Sequence, residues 1–64
     1  MKLILPDRSV RVLDISPSTL EAILLSLGIN PLEVIASRNG ILVTEDTVIG
    51  LDDEIRLLRI AHGG

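Results

Sequence analysis

The chain has 64 residues, room for a single domain, and nearly half of them are apolar although none is aromatic and none is cysteine. Its core must therefore be aliphatic and unbraced by disulfides, in a domain small enough to bury only about 60% of the surface its unfolded chain exposes. A net charge of −3 without aromatic rings argues against nucleic acid, which selects basic patches and stacking platforms, and the missing thiols exclude a cysteine nucleophile, a CxxC redox pair or a Cys-based zinc site.

No apolar run approaches the roughly 20 residues needed to span a bilayer. Met1 to Leu5 starts like a signal peptide, but Pro6-Asp7-Arg8 ends the apolar stretch too early. The expectation is a soluble, cytoplasmic protein with no membrane partner, which suits a chain without cysteine. Lys2 to Leu5 is rich in strand formers, Pro6-Asp7-Arg8-Ser9 is turn material, and Val10 to Leu13 alternates around Arg11. These segments predict an N-terminal hairpin with Val10 and Val12 facing inward.

Ser18 followed by Glu21 is the signature of a capping box, and Ser16 with Pro17 offers an alternative start two residues earlier. Leu20, Ile23, Leu24 and Leu27 then fall at i, i+3, i+4 and i+7. They predict a helix of about nine to eleven residues with one apolar stripe, closed by Gly28 as a left-handed cap and by Ile29 folding back. Asn30-Pro31-Leu32-Glu33 repeats the start signal in miniature and predicts one turn of α- or 3₁₀-helix. Val34 to Ser37 and Ile41 to Val43 flank Asn39-Gly40, the dipeptide that a type I′ turn favours because both central residues need positive φ. A polar loop, Thr44 to Thr47, precedes Val48-Ile49, which are expected to plug into the core. Gly50-Leu51-Asp52-Asp53 makes a turn, and Ile55 to Ile60 is the longest strand pattern. Strand, strand, helix, then three strands predict an α+β domain: a mixed sheet of four to five strands with one helix packed on one face.

The last strand and the end of the chain hold the candidate functional residues. Alternation puts Ile55 and Leu57 on one face, toward the core, and Arg56, Leu58 and Ile60 on the other. Leu58 and Ile60 are then exposed aliphatics near the tail, with Arg56 and Arg59 the basic side chains close by, a combination suited to partner binding. Ala61-His62-Gly63-Gly64 is left as a tail. Gly64 offers only its carboxylate, and two glycines make a thin tip able to enter a narrow active site. His62, the one histidine, has no neighbouring ligands for a metal. The acidic groups Glu45-Asp46 and Asp52-Asp53-Glu54 lack the partners that acid–base chemistry needs and read as loop charges. Lys2 is the only lysine, so lysine-linked chains of this protein would have one acceptor.

The element order and several motifs resemble the β-grasp, ubiquitin-like family, above all the prokaryotic sulfur carriers and archaeal small modifier proteins. The resemblance rests on Thr19-Leu-Glu-Ala-Ile-Leu-Leu-Ser-Leu-Gly28-Ile-Asn-Pro31, on Asn39-Gly40, on Asp52-Asp53-Glu54-Ile55 and on Leu57-Leu-Arg-Ile-Ala-His-Gly-Gly64. It implies a β-grasp domain over residues 1–60 and a tail over 61–64. It implies that an E1-like enzyme, using ATP and magnesium, adenylates the carboxylate of Gly64, with Gly63 as its steric companion. The product would be a thiocarboxylate, donated through a sulfurtransferase or sulfur-acceptor enzyme to tRNA thiolation or cofactor biosynthesis, or an isopeptide bond to a target-protein lysine. On this reading the chain binds no cofactor and is a protein substrate rather than an enzyme, unless it is the small subunit of a molybdopterin synthase. The alternative is a β-grasp interaction module with an inert tail, binding through Leu58, Ile60 and the open sheet face.

Overall fold

Period-two alternation in the last strand sets the centre of the molecule. In the computed structural model, which describes residues 1–60, that strand pairs with neighbours on both sides. Ala61, His62, Gly63 and Gly64 lie outside the described residues. The elements are β1 (Lys2–Ile4), β2 (Val10–Val12), β3 (Ser18–Thr19), α1 (Leu20–Ser26), a 3₁₀ turn (Pro31–Glu33), β4 (Val34–Arg38), β5 (Ile41–Val43), β6 (Val48–Ile49) and β7 (Glu54–Arg59). Five strands form a mixed sheet in the order β2-β1-β7-β4-β5, parallel only between β1 and β7. A separate two-stranded ribbon joins β3 to β6. This is an α+β, β-grasp-like architecture: among the described residues, a single α-helix covers one face of the main sheet.

The covered face is the core. Leu3, Ala36, Ile55 and Leu57 from the sheet meet Leu20, Ile23 and Leu24 of the helix, with Met1 and Ile49 closing the ends, whereas Val48, expected in the core beside Ile49, is 58% exposed because the two alternate across β6. Every one of these side chains is aliphatic or thioether, as the composition requires. Six of them, Leu3, Leu20, Leu24, Ile49, Ile55 and Leu57, are essentially inaccessible. Each such burial contributes about 1.5–3 kcal/mol relative to exposure.

The chain punctuates itself largely as its residues dictate. Gly28 sits at φ +75. Its N–H donates to the carbonyl of Leu25, and the N–H of Ile29 donates back to Leu24, the paired bonds of a Schellman cap. Asn30 accepts the N–H of Leu32 through its side chain, with Pro31 first in the 3₁₀ turn. Asn39 and Gly40 take φ values of 53 and 83 and close the β4–β5 hairpin in two residues.

Two expectations are corrected by pairing partners distant in sequence. The helix starts at Leu20 and spans seven residues, fewer than expected. Ser18 and Glu21 form no capping box: Ser18 donates its hydroxyl to the carbonyl of Ser16, and Thr19 accepts from the N–H of Ala22 at 3.2 Å. The cause is the loop after β5. Ser18 and Thr19 are held extended against Ile49 and Val48, and the N–H groups of Leu20 and Glu21 donate to the carbonyls of Thr47 and Glu45. The first-turn donors that a capping box would serve are taken by this loop. Secondly, Val10 and Val12 point away from the core, 51% and 82% exposed. The register places Arg11 opposite the buried Leu3, so its two flanking valines share the outer face with Lys2 and Ile4.

Candidate functional site

Among the described residues, no helix lies on the sheet's second face. Strand register assigns its residues: Val10 and Val12 from β2, Lys2 and Ile4 from β1, Glu54, Arg56 and Leu58 from β7, Ile35 and Ser37 from β4, and Leu42 from β5. Val10, Val12, Ile35, Leu42 and Leu58 are all at least 43% exposed. An isolated exposed leucine needs no explanation, but aliphatics from four of five strands on one face do.

Leu58 is 55% exposed and lies across from Ile35, itself 43% exposed, so the two form an apolar pair at the end of β7 where the tail begins. Ile60, expected as an exposed residue on the outer face of the last strand, instead lies beyond the end of β7 and is half-buried, because its N–H donates to the carbonyl of Glu33 and ties the exit of β7 to the 3₁₀ turn. Arg56 sits between Ile4 and Ser37 in the cross-strand row. Arg59 lies opposite Val34, on the helix side of the sheet, where it lines a concavity of about 300 Å³ with Pro6, Asp7, Ile29 and Glu33. The structure thus brings Leu58 and Arg56 to one face and puts Arg59 on the other. Gly63 and Gly64, the residues expected to carry the chemistry, lie outside the described residues, as does His62.

The outer-face partners Ile4, Val10, Ile35 and Leu42 were not among the expected site residues. A single strand's alternation cannot name them, because they become neighbours of Leu58 and Arg56 only through sheet order. The charge of Lys2 next to Leu3 is a usable sequence signal for the facing of β1, whereas the Val-Arg-Val pattern of β2 points the wrong way.

Several of the other charged groups bond within turns and loops. Asp53 accepts from the N–H of Gly50 at 2.8 Å and pairs with Arg38 at 3.5 Å, while Arg38 also donates to the carbonyl of Val48. This clamps β6 and the turn before β7 against the β4–β5 hairpin. Asp46 accepts from Thr44 within the loop that meets the helix start. Lys2 and Glu54 approach to 4.0 Å, with both side chains about half exposed. Asp7 accepts the hydroxyl and then the backbone N–H of Ser9, which holds its carboxyl below the usual carboxylate range. Among the described residues, no group of three or more His, Cys, Asp or Glu side chains could hold a metal ion, and no helix is long and apolar enough to cross a membrane. A scan against protein-family models matches none, and a search of curated proteins finds no significant match.

Proposed function

We propose that the protein is a sulfur carrier or ubiquitin-like modifier activated at the carboxylate of Gly64. The observation that carries this reading is the β-grasp-like sheet: β7, the strand leading into Ala61-His62-Gly63-Gly64, lies at the centre of the sheet between β1 and β4. A tail launched from a central strand has a rigid base on both sides, and the exposed Leu58 and Ile35 beside that base suit recognition by an activating enzyme. The chemistry follows from the poor electrophilicity of a carboxylate, whose charge repels nucleophiles and whose oxide does not leave. In the proposed first step a Gly64 oxygen attacks the α-phosphate of ATP, with magnesium held by the activating enzyme, and pyrophosphate leaves. A sulfur nucleophile or a target lysine amine then attacks the acyl-adenylate, and AMP leaves. Catalytic residues for both steps belong to the partners, so the chain is a substrate and carrier.

Intact mass and C-terminal fragmentation of the protein isolated from its own cells test the proposal. Sulfur in place of oxygen at Gly64, or Gly64 branched onto a lysine of another protein, is the expected result. Fragmentation is required because oxidation of Met1 adds nearly the same mass. An unmodified carboxylate under every growth condition, with no adenylate trapped by ATP and lysate, would defeat it. Gly63→Ala is expected to slow adenylation strongly while leaving the unfolding transition unchanged, since the added methyl group matters only in a tight channel. Normal adenylation of that variant would remove the threaded-tail picture.

The second reading is an interaction module with an inert tail, favoured by an outer face whose apolar residues extend well beyond the base of β7 to Val12 and Leu42. Deleting Gly63 and Gly64 separates the two: a carrier can no longer be activated and loses its function even where it still docks, whereas a module keeps its whole function.

A further inference from the structure

The outer face is not evenly charged. The protein carries six basic and nine acidic residues, yet the charged positions on this face are Lys2, Glu54 and Arg56, with Arg8 at its rim. Lys2 and Glu54 face each other, which leaves the two arginines. Arg8 and Arg56 line one concavity of about 660 Å³ whose remaining walls are apolar, among them Ile4, Pro6, Val10 and Leu58, and among the described residues no carboxylate lines it. Neither arginine has a carboxylate within ion-pair distance among the described residues, where the pairs are Lys2–Glu54 and Arg38–Asp53.

The hairpin turn explains why Arg8 is held there unpaired. Leu5 and Ser9 close the turn, the N–H of Arg8 donates to the carbonyl of Leu5, and Arg8 adopts φ 72. Asp7, the nearest acid in sequence, is turned toward Ser9, whose hydroxyl and N–H it accepts at 2.6 and 2.9 Å. Its Oδ1 is thereby engaged within the turn. Two weakly hydrated planar cations over an aliphatic floor match carboxylates carried on an apolar backbone, because a guanidinium binds a carboxylate through two parallel N–H bonds.

We propose that the Arg8–Arg56 concavity is the docking site for an acidic, apolar peptide segment of a partner protein, its carboxylates on the two guanidiniums and its aliphatic side chains on Ile4, Val10 and Leu58. Charge complementarity selects this occupant: a basic, apolar hollow on a chain of net charge −3 favours an acidic ligand over the general surface of a second copy. The inference concerns the partner face and not the tail, so it holds for a carrier and for an interaction module alike. Deleting Gly63 and Gly64 leaves it intact, and its failure is distinguishable from failure of the Gly64 chemistry.

The test is a titration of the ¹⁵N-labelled full chain with an acetylated peptide of alternating Glu and Leu, followed by backbone chemical shifts. Shifts confined to residues around Ile4, Arg8, Val10, Arg56 and Leu58, weakening as salt rises, are expected. Arg8→Gln and Arg56→Gln should each weaken binding about two- to five-fold, the range of exposed ion pairs. Arg11→Gln makes the same change in net charge, but Arg11 lies opposite Leu3 on the other side of the sheet, so this variant should bind as the parent does. The proposal is overturned by no shifts at millimolar peptide or by shifts centred elsewhere. It is equally overturned by equal binding of the Gln-for-Glu peptide, by equal loss in Arg11→Gln, or by concentration-dependent shifts at these residues without peptide, which would make a second copy the occupant.

Discussion

The two faces of β7 are built from one six-residue strand and behave as different materials. On the inner face Ile55 and Leu57 are 0% and 1% exposed, sealed by α1. On the outer face Arg56 and Leu58 are exposed, and Leu58 matches Leu57 in composition while lying on the opposite side of the strand. The inner leucine is held by packing and contributes stability. The outer one contributes little to the fold and is available to a partner. The difference shows that hydrophobicity alone does not distinguish core from docking surface; the layer above the strand does.

Truncating the two leucines should separate the faces most strongly. Leu57→Ala should lose about 2–5 kcal/mol in urea denaturation, the usual cost of emptying a buried leucine site. Leu58→Ala should change stability by less than about 1 kcal/mol while weakening partner capture. Equal losses at the two positions would mean that the outer face is covered and would remove the docking argument.

A smaller effect sharpens the inner side. Thr19→Ala should cost about 1 kcal/mol by orphaning the N–H of Ala22. Ser18→Ala should cost less, because the Ser18 hydroxyl reaches only the carbonyl of Ser16 in exposed surroundings. Reversal of that order in thermal unfolding would restore the capping box that the loop carbonyls displace.

On the outer face, Glu54→Gln should shift stability by no more than about 0.5 kcal/mol, since its partner Lys2 is 4.0 Å away and both are half exposed. A larger loss by denaturation would mean that this face contributes to the fold.

The smallest effect belongs to the β1–β2 turn. Ser9 lowers the folded-state value of Asp7 below its ordinary 3.8, so the ionised carboxylate is favoured by folding. Its contribution is present above that ordinary value and is lost as pH falls through the lowered one. In Ser9→Ala the acid limb of the stability–pH curve should be slightly flatter there. An unchanged limb would show that the turn has no such linkage.

Short-range signals in the chain account for most of its turns and caps. Gly28, Asn30-Pro31 and Asn39-Gly40 each impose backbone angles or bonds on their immediate neighbours, and the structure puts a cap, a 3₁₀ turn and a hairpin at those places. The helix stripe and the alternation of Ile55 and Leu57 named most of the core, because 3.6- and two-residue periods are properties of single elements. The fold class followed from the order of those elements. Of the site, Arg56 and Leu58 on the outer face were legible from alternation, while the tail residues lie outside the described residues. The facing of β2, the start of α1 and the grouping around Arg56 come from long-range pairing instead. Each depends on a partner far away in the chain: Leu3 across from Arg11, the carbonyls of Glu45 and Thr47 at the helix start, and Arg8 brought to Arg56 by the pairing of β1 with β7. The physical reason is common to all three. A hydrogen-bond donor or a strand face has no preference of its own between water and a distant partner until the register of the sheet supplies that partner.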